Sequence, residues 1–130
     1  MTKIIDIEGI GAVYAEKLQE AGIKSVESLL KAGADPAGRK KVADATGIDG
    51  KKILEWVNRA DLYRINGVGS EYSDLLEASG VDTVRELATR RADNLHAKML
   101  EVNEAKNLVR RPPTEAQVEA WIKEAKTLPV

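Results

Sequence analysis

Ile7–Leu29, IEGIGAVYAEKLQEAGIKSVESL, returns as INGVGSEYSDLLEASGVDTVREL at Ile65–Leu87, a constant 58 residues later. Ile7, Gly9, Gly11, Tyr14, Leu18, Gly22, Val26 and Leu29 each meet the same residue in the second copy. Ile10/Val68, Ile23/Val81 and Ser25/Thr83 differ only by close substitution. A repeat of this length sets the architecture before any local motif does. Each copy opens on a Gly-apolar-Gly turn and runs into a segment with helical spacing of apolar residues. Such a turn binds anions in some proteins and only connects helices in others.

Outside the repeat the pattern stays helical. Val13, Ala15, Leu18 and Ala21 recur at helical spacing, and Gly22 is placed to stop the helix. Ser25 caps a short helix carrying Val26, Leu29 and Leu30; Ala34-Asp35-Pro36 makes a turn before a helix over 39–45. Thr46-Gly47-Ile48-Asp49 is a further turn, with Asp49 as N-cap of a helix bearing Ile53, Trp56, Val57 and Ala60. In the second half Tyr72, Leu75 and Leu76 share a helix that ends at Gly80. Thr83/Glu86 and Thr114/Gln117 both have capping-box spacing. A longer helix is expected over 94–108, broken by Arg110-Arg111-Pro112-Pro113, and the last one carries Val118, Trp121, Ile122 and Ala125. The expectation is an all-α chain of two repeats, 1–62 and 63–130, packed together across the short junction Ala60-Asp61-Leu62-Tyr63-Arg64.

Composition agrees with that class. Apolar residues make up 43% of the 130 and charged residues 32%, as amphipathic helices with solvated outer faces require. Phenylalanine is absent, so aliphatic side chains must fill the core. The net charge of −1 argues against a generally basic coat for nucleic acid. Without cysteine there is no disulfide and no thiolate metal site, which suits a cytoplasmic protein. Met1-Thr-Lys-Ile-Ile-Asp is too short and polar for a signal peptide, and no membrane span is expected.

On Ile7-Glu8-Gly9-Ile10-Gly11 with Ala15 and Leu18, and Ile65-Asn66-Gly67-Val68-Gly69 with Leu76, the chain resembles the helix-hairpin-helix superfamily. More narrowly, GIGAVYAEKLQEAGI, LEWVNRADL, NLHAKML and PTEAQVEAWI resemble a bacterial and archaeal family of tandem helix-hairpin-helix domains of unknown function. The resemblance spans nearly the whole chain and implies a SAM-like, double helix-hairpin-helix architecture. It also implies sequence-independent binding of DNA backbone. Other members of the superfamily are protein-interaction modules, so a module that binds a protein partner or itself is the alternative.

The physical basis of DNA binding is the glycine turn. It aims free backbone amides outward at a helix N-terminus, where the helix dipole also favours a phosphate oxygen. Candidate contacts are Gly9 and Gly11, and Gly67 and Gly69. Relatives that bind DNA carry a Lys or Arg just beyond the second glycine; here those places hold Ala12, Val13 and Tyr14, then Ser70, Glu71 and Tyr72. Ile7–Leu29 has two lysines against four glutamates, and Ile65–Leu87 one arginine against five acids. Both hairpins therefore repel a polyanion when charge is counted along the segment. Arg39, Lys40 and Lys41 with Lys51 and Lys52 bracket the third turn at Gly47, so these residues rank first as a DNA contact. Their bland reading, as solvated helix faces, ranks above that contact.

Tyr14 and Tyr72 are expected to pack against the short helix that follows each, and Trp56 and Trp121 to anchor the core. His96 is the only histidine and has no cysteine or second histidine to pair with. Gly-Ile-Gly and Gly-Val-Gly lack the Gly-Lys-Ser/Thr of a nucleotide-binding loop. No catalytic group, metal or cofactor is expected.

Overall fold

The computed structural model describes residues 3–7 and 9–128. Among them the chain is all-α: a 3-10 turn at Ile4–Asp6 precedes eight α-helices, with one isolated antiparallel bridge from Lys3 to Ser25 and no strand. It divides into two compact units, Met1–Asp61 and Leu62–Val130, each with its own core.

The first unit contains α1 (Ala12–Glu20), α2 (Val26–Ala32), α3 (Pro36–Thr46) and α4 (Gly50–Leu62). Helix α1 closes when Gly22 N–H bonds the Gln19 carbonyl at 3.0 Å and Ile23 N–H bonds that of Leu18 at 2.9 Å. This paired closure satisfies carbonyls the helix leaves free and turns the chain sharply towards α2. Ser25 caps α2 in a reciprocal box with Ser28. Helix α3 begins at Pro36 rather than Arg39: Asp35 accepts from Gly38 N–H at 2.6 Å, and proline suits the first helical position. Both α1 and α2 pack on α3.

The expected apolar stripe of α1 is half right. Ala15 and Leu18 are buried, but Val13 is 67% exposed and Ala21 lies outside the helix as its exposed C-cap. Tyr14, one position on, takes the inward direction in that first turn. The core is filled by Ile4, Ile7, Leu18, Leu29, Ile53, Trp56 and Ala60, each at most 2% exposed. A fully buried Leu or Ile contributes roughly 1.5–3 kcal/mol, so aliphatic chains make up for the missing phenylalanine.

The second unit contains α5 (Ser70–Ala78), α6 (Val84–Leu87), α7 (Ala92–Lys106) and α8 (Glu115–Ala125). Helix α5 ends with the same paired closure, Gly80 to Glu77 at 3.0 Å and Val81 to Leu76 at 2.8 Å. Thr83 caps α6 by accepting from Glu86 N–H, while the Glu86 carboxylate is held by Arg90. Helix α7 starts and ends two residues earlier than the apolar spacing suggests. Asn107 adopts a left-handed φ of 52° and stops it, leaving Leu108 outside the helix but still packed on the core. The Thr114–Gln117 box forms in full at the start of α8. Helix α8 packs on α6 and α7, and α5 on α7, around Leu75, Leu76, Val81, Leu87, Met99 and Val118.

Candidate nucleic-acid interface

Each unit builds the same cluster of glycine, tyrosine and tryptophan. Gly9 and Gly67 have φ of +92° and +86°, a left-handed backbone that other residues adopt only under strain. Behind each stands an indole. A Cβ on Gly9 would lie 3.2 Å from Trp56 Nε1, and one on Gly67 3.5 Å from Trp121 Nε1. Tyr14 stacks on Trp56 and Tyr72 on Trp121, both with centroids 5.1 Å apart and planes inclined at 58° and 54°. The two tryptophans are core anchors, 2% and 4% exposed. The tyrosines thus pack on the closing helix of their unit. Periodicity along α1 or α5 cannot reveal a partner that distant. The joint recurrence of Tyr14 with Trp56 and Tyr72 with Trp121 was the available signal.

Gly11 and Gly69 do different work. They are the N-caps of α1 and α5, with φ of −84° and −107°, extended values open to any residue. No atom lies within 4 Å of a Cβ added at either. What glycine supplies is therefore the lack of a side chain. Among the described residues no side-chain cap reaches the first-turn amides, which a helix leaves without internal partners. Gly9, Gly11, Ala12 and Val13 are all exposed, so the amide end of α1 faces solvent.

The third turn is built otherwise. Gly47 is again left-handed, φ 72°, and Ile48 is buried as Ile10 and Val68 are. At the place of Gly11, though, stands Asp49, whose carboxylate accepts from Lys51 N–H at 2.9 Å. The start of α4 is already occupied by an anion of its own.

Two of the basic residues singled out in the sequence, Arg39 and Lys52, have partners away from this third turn. Arg39 donates to the Gly33 carbonyl at 3.0 Å and so closes the end of α2. Lys40, Lys41 and Lys51 are exposed. Lys52 reaches across to α1, its ammonium 5.9 Å from the Tyr14 centroid, within cation–π range. A cation thus stands beside the first turn of α1, although the hairpin segment itself carries none there.

The second hairpin differs. Glu71 sits in the first turn of α5, and Arg110 Nε approaches its Oε1 at 3.8 Å. The connector 107–114 is pinned along its length. Asn103 accepts from Val109 N–H at 2.9 Å and donates to its carbonyl at 3.2 Å; Tyr72 Oη donates to the Arg111 carbonyl at 3.0 Å. His96 Nε2 lies 3.0 Å from the Pro113 carbonyl, so the lone histidine holds this connector and is half-buried. Arg90 and Arg91 line a separate groove of about 500 Å³ with Lys123 and Lys126, but Asp93, Glu115 and Glu119 share it. Among the described residues no three His, Cys, Asp or Glu side chains converge as metal ligands, and no helix is long and apolar enough to cross a membrane.

The chain belongs to the family described as a domain of unknown function, DUF4332, whose model matches residues 8–128. No curated protein and no solved structure matches it.

Proposed function

We propose that the chain is a non-catalytic module with two helix-hairpin-helix turns that grips the phosphate backbone of DNA without reading its sequence. The first hairpin is the principal contact. The observation that carries this reading is the uncapped, exposed start of α1 at Gly11, with Lys52 standing over Tyr14 in the same turn. Open amides, a helix dipole and a nearby ammonium all favour a phosphate oxygen, and none of them distinguishes one base from another. Lys40, Lys41 and Lys51 add exposed positive charge on the same unit. The turn at Gly47 ranks behind, because Asp49 would meet a phosphate with its own carboxylate. This reverses the order drawn from charge along the sequence.

Gly11→Asp tests the reading. The backbone there suits aspartate and nothing obstructs its side chain, so the variant should fold as well as the parent while placing Asp49's kind of cap in the hairpin. Binding to labelled duplex DNA should weaken at least tenfold. If Gly11→Asp binds as the parent does, the hairpin is a connector. The alternative module, one that binds a protein or a second copy of itself, would then have the exposed Val13 at the same tip as its natural contact.

A further inference from the structure

In the first unit Lys52 lies four residues before Trp56 and reaches Tyr14. The residue four before Trp121 is Gln117, and its side chain folds back along the helix to accept from Thr114 N–H at 2.9 Å. The second unit therefore lacks a cation at the place Lys52 comes from. Its connector between α7 and α8, 107–114, is longer than Gly47-Ile48-Asp49 between α3 and α4, and it passes beside Tyr72. The connector carries Arg110 and Arg111 past the ring that matches Tyr14.

We propose that Arg110 and Arg111, held on the pinned connector, form a second phosphate-contact site and replace in the second unit what Lys52 supplies in the first. The site rests on the DNA-binding reading above. Three features support it. The connector is fixed by Asn103, Tyr72 and His96 through backbone atoms, so the guanidinium groups are presented from an ordered base. The Arg110 side chain is 94% exposed, and its contact with Glu71 is long and solvent-screened. Arginine also suits phosphate, since its planar donors can engage two oxygens at once. Glu71 is the resident counter-ion, and phosphate displaces it from Arg110.

The test uses the full chain and labelled mixed-sequence duplex DNA, with anisotropy titrations at several salt concentrations. Three variants are compared with the parent: Lys52→Ala, Arg110→Ala/Arg111→Ala, and Glu71→Gln. Alanine at 111 keeps the carbonyl that holds Tyr72, and thermal unfolding of each variant checks the fold. Each phosphate contact contributes about 0.9 to the slope of log K against log salt, so the double arginine variant should lower that slope by about 1.8. Glu71→Gln should tighten binding about two- to fivefold by freeing Arg110 from an exposed pair. An unchanged slope in the double variant, or no tightening by Glu71→Gln, overturns the second site. If Lys52→Ala still weakens binding in that case, the first hairpin's role stands. A parent chain that binds no DNA at low salt overturns both.

Discussion

The two glycines of each hairpin are alike in sequence and opposite in what they do, and substitutions separate them. At Gly9 an added methyl meets both a left-handed backbone and Trp56 Nε1 at 3.2 Å. Gly9→Ala should lower stability by about 1–2 kcal/mol, read as a lower midpoint in urea. At Gly11 neither obstacle exists, so Gly11→Ala should change stability by less than that and Gly11→Asp should not reduce it. Equal losses at both positions would mean that the second glycine is structural as well. Asp82 offers a separate residue-scale check. Burial first, and then the charge of Glu86, raise its carboxyl above the usual aspartate range. A raised folded pKa means the native state binds the proton more tightly than the unfolded chain. Stability contributed by that group is present at low pH and lost as pH rises through its folded value. Asp82→Asn should therefore unfold at a higher temperature than the parent at pH 7, and the gap should close as pH falls below the aspartate range. A constant gap across pH would contradict this assignment.

At the scale of elements, the parts decided within a few residues were legible in sequence. Ser25, Thr83 and Thr114 all cap the helices expected of them, because a cap bonds a backbone amide only three residues away. Gly22 and Gly80 end α1 and α5 for the same local reason. What sequence did not reveal are the ties between distant segments: Tyr14 to Trp56, Lys52 to Tyr14, and Asn103 to the connector. Charge summed along Ile7–Leu29 counts no cation brought in by α4, so it understated the positive surroundings of the first hairpin. The connector makes the strongest element-scale prediction. Asn103 is 8% exposed and satisfies both main-chain groups of Val109. Asn103→Ala leaves a buried amide and carbonyl without their partners and should cost about 1–3 kcal/mol. Hydrogen exchange at Val109 N–H should accelerate accordingly. Unchanged exchange would show that the connector is held mainly by Tyr72 and His96.

For the whole molecule, a net charge of −1 means that any grip on DNA comes from where charges sit and not from their sum. The helical spacing of apolar residues made the all-α class legible from residues alone. Under the proposed DNA-binding reading, the difference between the two glycine turns depends on side chains far along the chain, Lys52 in one unit and Arg110 and Arg111 in the other. The measurement that bears most directly on the central claim is anisotropy of labelled duplex DNA titrated with parent and Gly11→Asp at about 50 and 200 mM salt, the range in which phosphate-driven binding changes by orders of magnitude. The account predicts saturable binding by the parent at low salt, a steep loss at high salt, and at least tenfold weaker binding by Gly11→Asp with unchanged thermal unfolding. No binding by the parent at 50 mM, or equal binding by the two proteins, would contradict it.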